Sequence, residues 1–405
     1  MIAQPDHRGS IAALVGVVLT AMIGFGLFLP VFPFLALHLG ATATQTTLAM
    51  GAYSLGQLVA APFWGRLSDR IGRKPILILG LIGAAGSYCF LANAQSVFDM
   101  GAARLFGGLM AGNIGAAFAA AGDIADDRTR TRNMGLLSAA FALGFIIGPG
   151  IGGFIVSNEP TAESFARVCY VAAAFATAAA VGAALFFRET RAARSAAAGE
   201  PLGRIALVRG RPALALLLTV TLVMVTAQAL METTFALWAH VALRFGPHDV
   251  GVAFIVLGVA SVLIQGGAAG ALAKRFGERA MLLGGIIGFA AGFAVLPFAT
   301  SWATLAPALA LMAAGGAAAA PALQSLISVQ TSDDDRGAVM GLNQSASALG
   351  RVLGPIISGP LFDLGGHASP FVAGAALLLC AAGIAWSAAP RAISATRAEA
   401  PASDG

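Results

Sequence analysis

Charge is what this sequence has least of. Of its 405 residues only 11% are Asp, Glu, Lys or Arg, while 58% are apolar; soluble proteins carry roughly 25% charged residues. So few charges cannot clothe a water-facing surface, and a mean hydropathy of +0.82 places most of the chain against lipid. A soluble enzyme, a secreted scaffold and a DNA-binding module are set aside on that ground. Cysteine is scarce too. Cys89, Cys169 and Cys380 lie inside or at the edge of apolar stretches, a spacing that makes neither a disulfide framework nor a metal-ligand set. They are expected as small apolar packing residues, and no metal or cofactor is expected. No His cluster, nucleophile–base pair or G-x-x-x-x-G-K-[ST] loop occurs, so neither an enzyme nor ATP coupling is expected.

The net charge of +5 and a pI near 9.6 do not point to nucleic acid. The basic residues stand in short clusters between apolar stretches, not along one polar face. Those apolar stretches are the main content of the chain. A helix crossing a bilayer needs about 20 predominantly apolar residues, and twelve segments qualify: 10–37, 45–65, 75–94, 99–122, 134–156, 167–187, 212–239, 249–272, 280–298, 302–329, 338–361 and 369–389. The first is too long for a signal-peptide core and is read as a retained helix.

Basic residues near helix ends set the orientation. With the N-terminus inside, 20 of the 24 Lys and Arg fall on the cytoplasmic side; Arg167 and Arg244 fall opposite, and Arg104 and Arg351 lie within segments. A multi-pass protein with both termini cytoplasmic is expected. The stretch 188–211 carries six arginines and divides the chain into a cytoplasmic N-terminus 1–9, a six-helix bundle 10–187, a linker 188–211, a second bundle 212–389 and a tail 390–405 expected to be disordered.

The two halves repeat. Gly65-Arg-Leu-Ser-Asp69-Arg70-Ile-Gly72-Arg73-Lys74 lies 205 positions before Gly270-Ala-Leu-Ala-Lys274-Arg275-Phe-Gly277-Glu-Arg279. Met134-Gly135-Leu136 recurs as Met340-Gly341-Leu342, and Gly144-x-x-x-Gly148-Pro149 as Gly350-x-x-x-Gly354-Pro355, both 206 apart. Two homologous six-helix bundles related by an axis along the membrane normal form a transporter architecture. The expected fold is therefore all-α and membrane-embedded, with twelve transmembrane helices in two pseudo-symmetric bundles.

Five stretches carry a family resemblance. The hairpin Gly65 to Pro75, between segments two and three, resembles the loop motif of the major facilitator superfamily. Gly65 and Gly72 suit a tight turn and close helix approach. Asp69 is a fixed negative charge among Arg66, Arg70, Arg73 and Lys74, able to sit against a helix N-terminus of the other half and so bias one transport state. Gly144-Phe-Ile-Ile-Gly148-Pro149-Gly150-Ile-Gly152-Gly153 resembles the motif that marks the superfamily's antiporters, drug exporters above all. Its glycines strip one helix of side chains so that it can bend and pack closely.

Arg104, followed by Gly107 and Gly108, resembles the family's buried-arginine motif. An intramembrane arginine needs a partner or a wet cavity, or else snorkels outward from the helix end. Gly24 to Pro33 looks like the opening pattern of twelve-helix drug exporters, and Gly315 to Thr331 like helix ten of the tetracycline exporters. The resemblance thus runs nearly the whole chain and implies a drug:proton antiporter of the bacterial inner membrane. Such a protein is expected as a monomer whose partners are the lipid bilayer, protons and a small amphiphilic substrate. Resemblance also implies that one of Asp123, Asp126 and Asp127 pairs with Arg73 or Arg66 in a closing network; ordinary waterside charges are the alternative. Asp333, Asp334 and Asp335 are expected in a solvated loop.

The sequence departs from the tetracycline exporters at one feature. Their intramembrane aspartates match Thr20, Ser87 and Phe289 here. Either the substrate differs, or proton coupling has moved, or it is absent. A carboxylate in low dielectric can take and release a proton near neutral pH, and Glu232 is the one acid well inside an apolar segment. On a helix it shares a face with Thr221, Gln228 and Phe235. Three roles remain for it: proton coupling or substrate-cation binding, a static partner for Arg351, or a waterside acid. Asn113, Gln228, Met231, Phe235, Trp238 and Gln324 are candidate pocket residues, because amphiphile sites favour adaptable apolar, aromatic and Met surfaces. The expected function is proton-coupled export of small amphiphilic drugs, tetracycline-like or multidrug. The alternatives are a sugar or organic-acid transporter on the same fold and a membrane sensor that no longer transports.

Overall fold

The computed structural model describes residues 7–125, 129–156, 160–190, 210–265, 269–331 and 335–398. Most of the linker 188–211, together with Asp126, Asp127, Asp333 and Asp334, lies outside the described residues. Those described are nearly all helical, and no strand occurs among them. Lipid offers no partner for backbone N–H and C=O groups, so each apolar segment must satisfy its own, and the helix does that. The first half contains α1 His7–Leu27, α2 Phe32–His38, α3 Ala43–Ile71, α4 Arg73–Ala92, α5 Val97–Leu109, α6 Asn113–Ile124, α7 Arg130–Val156 and α8 Ala162–Phe186. The second contains α9 Pro212–Leu243, α10 Pro247–Leu263, α11 Ala269–Phe276, α12 Glu278–Val295, α13 Trp302–Val329, α14 Arg336–Gly365 and α15 Ser369–Ala398.

Joining α1 with α2, α5 with α6 and α10 with α11 gives twelve helical passages, as the sequence predicts. Among the described residues nine are long and apolar enough to cross a membrane. The remaining three are α3 and α14, whose composition is more polar, and the shorter apolar α10. Helix starts follow local chemistry. Thr42 and Gln45 form a reciprocal capping box at α3, with backbone N–H to side-chain oxygen distances of 3.2 and 3.0 Å, and Thr161 with Ser164 does the same at α8.

Two segments differ from expectation in continuity. The first is interrupted at 28–31, beside Pro30 and Pro33, and the fourth at 110–112, before Asn113; proline lacks the donor a continuous helix needs. In the eighth, the α-helix passes into a π turn at 264–265, and residues 266–268 lie outside the described residues. At the far end α15 runs to Ala398, so residues 390–398 continue a helix where a disordered tail is expected.

The chain forms two compact units. One comprises residues 1–196 with 236–255, the other 197–235 with 256–405. The division differs from the expected bundles because the end of α9 and the start of α10 pack with the first unit. The first unit's core centres on Leu14, Trp64, Ile76, Leu77, Leu137 and Phe187. The second buries Leu282, Ile286, Phe293, Leu309 and Phe371.

The repeat read from sequence recurs in backbone geometry. Gly72 and Gly277, 205 positions apart, adopt φ values of 109° and 80° at the two equivalent hairpins, a region that carries a steric penalty for residues with a Cβ. A Cβ on Gly80 would lie 2.7 Å from the Asn113 nitrogen, and one on Gly285 would lie 2.7 Å from the Ala319 nitrogen. The α4–α6 crossing of one unit is thus rebuilt as α12–α13 in the other.

Candidate functional site

The hairpin after α3 is held by charge. Gly72 reverses the chain, and the Arg73 guanidinium then reaches three partners. Its Nε donates to Asp123 at 2.9 Å, and its Nη1 donates to Asp69 at 2.5 Å and to the Ser68 hydroxyl at 3.1 Å. Asp123 comes from the end of α6 and pairs with Arg73; Asp126 and Asp127 lie outside the described residues. The Asp69 carboxylate stays half exposed. Gly65 behaves differently from expectation. It lies inside α3, and a Cβ there would meet nothing within 4 Å, so neither a turn nor close packing requires it. Asp335, expected in a solvated loop, accepts from Arg211 at 2.8 Å.

Sequence reasoning missed Glu189, just beyond α8. Its carboxylate accepts the backbone N–H of Arg73 at 2.8 Å and of Lys74 at 3.1 Å, capping α4 where the helix dipole favours a negative charge. Lys74 Nζ in turn donates to the Ala184 carbonyl at 2.7 Å. The hairpin and Glu189 are 116 positions apart, and no local pattern announces the pairing.

The glycine-rich stretch of α7 presents two bare faces. On one, a Cβ at Gly144 would lie 2.9 Å from the Ile23 nitrogen, and one at Gly148 would lie 2.8 Å from Gly26 Cα. A Cβ at Gly152 would overlap the Leu27 carbonyl. These three seat α7 directly on α1. On the other face, a Cβ at Gly153 would lie 2.7 Å from the Pro247 carbonyl oxygen, and one at Gly251 would lie 2.7 Å from that of Pro149. The first turns of α10 therefore approach α7 as backbone on backbone, the kind of contact small residues permit.

Arg104 on α5 is buried, 4% exposed, which disposes of the snorkelling alternative. Its Cζ lies 4.4 Å from the ring centres of Phe28 and Tyr53 and 5.5 Å from that of Phe25. Tyr53 was not singled out from sequence, although a residue type used only three times in the chain was a signal. The positions matching the tetracycline exporters' aspartates are packed into helix contacts. The Ser87 hydroxyl donates to the Ala103 carbonyl at 2.8 Å, Thr20 donates to Gly16 at 2.8 Å, and Phe289 stacks edge-on against Phe293.

In the second unit Glu232 of α9 is partly exposed, and Gln228 Nε2 donates to its Oε1 at 2.8 Å. The polar strip expected along α9 divides. Gln228 and Glu232 face outward, while Thr221 is buried against Asn343 at 2.7 Å and Phe235 is 2% exposed. Of the remaining pocket candidates, Met231 and Trp238 are enclosed in packing, Gln324 is exposed, and Asn113 is buried beside a small cavity in the first unit.

Comparison with known proteins gives a consistent picture. The sequence pattern of the Major Facilitator Superfamily matches residues 14–269 and 233–404. The chain is 31% identical over 365 residues to the class B tetracycline resistance protein of Escherichia coli, covering 87% of this chain and 88% of that one. It is 30% identical over 366 residues to multidrug resistance protein 2 of Bacillus subtilis, covering 86% and 88%. Among solved structures it resembles the human organic anion transporter MFSD10 (TETRAN), with a TM-score of 0.71 at 25% identity, covering 94% of this chain and 100% of that one.

Proposed function

The chain belongs to the Major Facilitator Superfamily, and from that premise we propose that it exports small amphiphilic compounds, tetracycline-like or multidrug, in exchange for protons. Membership makes it a multi-pass membrane transporter of small molecules and not an enzyme. The finer reading places it in a bacterial inner membrane as a monomer with both termini cytoplasmic. It works by alternating access, with the Gly65–Pro75 hairpin as gate and the α7 glycines as the antiporter hinge.

The observation that carries the reading is the Glu232–Gln228 pair, a partly exposed carboxylate on an apolar helix with one amide donor as partner. Ionised, Glu232 accepts the Gln228 N–H. On protonation the acid becomes a donor, and the Gln228 amide needs only to turn over so that its oxygen accepts instead. A proton taken from outside then neutralises the site, and its release inside completes the cycle. The relatives named for tetracycline and multidrug resistance support export of amphiphiles.

The test is export of an amphiphilic dye in vesicles reconstituted with the protein. An imposed proton gradient should drive export and a protonophore should abolish it. Transport that ignores both manipulations would refute proton exchange.

A further inference from the structure

The first unit buries a positive charge whose surroundings are neutral. Around Arg104 stand the rings of Phe25, Phe28 and Tyr53, and among the described residues no carboxylate forms an ion pair with it. Ring faces attract a guanidinium by about 0.5–2 kcal/mol, less than the several kcal/mol needed to take an ion out of water. The Arg104 Nε–H is fully enclosed and has no hydrogen-bond partner, against the general rule that buried polar groups are paired. The Nε–H of this guanidinium thus lacks an in-plane acceptor.

The space for one is present. Beside Arg104 lies a cavity of about 20 Å³, walled by Tyr53, Ser87, Tyr88 and Asn113 among others, enough for one water or one oxygen end of a small anion. A second cavity of about 10 Å³ exposes only apolar atoms, from Val17, Leu77, Ala117 and Phe118 among others. The two share Ala21, Met22, Leu81, Asn113 and Ile114 as a common wall. In that wall Met22 is the unbranched, adaptable side chain whose rotamers can join them. A fixed cation at one end and a purely apolar recess at the other match a molecule with the same division.

We propose that Arg104 and these adjoining cavities form a subsite for a small amphiphilic organic anion. Its carboxylate meets the edge of the guanidinium, and its apolar body lies along Met22, Leu81, Ile114 and Phe118. Arginine suits the task because its planar fork binds a carboxylate through two N–H groups at once. The inference rests on the export reading for the direction of transport and adds amphiphiles bearing a carboxylate to its substrate class.

The test is equilibrium binding to the purified full-length protein in lipid nanodiscs, with radiolabelled 2-naphthoate as probe. Competition by neutral 2-naphthamide isolates the charge, and competition by acetate isolates the apolar body. Wild type should bind naphthoate about ten- to a hundredfold more tightly than the amide, the range expected of hydrogen bonds to a charged group. Acetate should compete only weakly. Arg104→Gln should erase the preference, and Tyr53→Phe, which keeps the ring, should retain it. Equal affinity for naphthoate and naphthamide in wild type overturns the subsite without recourse to any variant. So does a preference that survives Arg104→Gln in protein whose melting curve shows it folded. Proton-driven export of a cationic dye, measured on the same preparation, separates the two readings. Dye export without naphthoate preference removes the subsite alone, and naphthoate preference without dye export removes the export reading and keeps the subsite.

Discussion

In the first half Gly144 and Gly148 of α7 lie against residues 22–26 of α1; in the second, Gly350 and Gly354 of α14 lie against residues 222–230 of α9 in the same register. The backbone frame is repeated, but what fills it is not. Phe25, packed on Arg104, is the counterpart of Gln228, which bonds Glu232. Arg104 itself matches Leu309, a buried aliphatic. Gly107 faces Ser87 in one half, where Met312 faces Gly292 in the other, so bulk has moved from one helix to its neighbour. At the hairpins, basic Arg73 pairs with Asp123, whereas its counterpart Glu278 accepts from Ser325. Duplicated helices thus keep the contacts that set helix spacing and diverge in the side chains that carry charge. The first half has specialised as the holder of a buried cation and the second as the holder of an accessible acid.

Breaking the shared frame should have the largest effect. Gly152 of α7 faces the Leu27 carbonyl without room for a Cβ, while its counterpart Ser358 bonds Thr233 at 3.0 Å. Gly152→Ala should lower stability by about 1–3 kcal/mol through overpacking, and Gly152→Leu should abolish folded protein. Ser358→Ala should cost only about 1 kcal/mol, the net value of one hydrogen bond. Fluorescence-detected melting of the purified proteins ranks them, and equal losses would erase the asymmetry.

The buried polar pair peculiar to the second half comes next. Asn343, whose counterpart is Leu137, accepts from Thr221 inside the helix packing. Thr221→Val alone should destabilise by about 1–3 kcal/mol because it strands the Asn343 amide. Adding Asn343→Leu, which restores the first half's residue, should recover most of that loss.

The hairpin pair should matter less. Arg73 and Asp123 are 17% and 30% exposed, so solvent weakens their attraction, and a double-mutant cycle with Arg73→Gln and Asp123→Asn should yield a coupling of about 1 kcal/mol or below. The smallest effect belongs to Gly65. Its Cβ would meet open space, and helix propensity alone makes Gly65→Ala neutral or stabilising by up to about 1 kcal/mol. Gly72→Ala, at φ 109° and ψ 166°, should cost about 1–3 kcal/mol by comparison, and its Cβ would also meet the Glu189 carboxylate.

The sequence made the helices legible because lipid imposes one backbone solution on every long apolar stretch, and it made the repeat legible because glycine landmarks persist where helices touch. Interruptions were harder to read. Pro30 and Pro33 mark the first, but the break at 110–112 follows glycines that elsewhere sit in continuous helix, as Gly148 does in α7. Side-chain partners were legible only within one helix, where periodicity brings Gln228 to Glu232. Arg104 meets rings from α1 and α3, and Glu189 caps α4 from across the unit. Those meetings depend on how helices pack, which no spacing records. The same limit misled the reading of α9, where Thr221 and Phe235 share a nominal face with Glu232 but are covered by neighbouring helices.

The central claim is that Glu232 carries the exchanged proton, and one substitution addresses it most directly. Glu232→Gln keeps the size and hydrogen-bonding capacity of the side chain while removing its titration. In reconstituted vesicles under an imposed pH gradient the variant should show no dye export above protein-free vesicles, although the dye still binds to the purified protein. Gradient-driven export at the wild-type rate by Glu232→Gln would contradict the account.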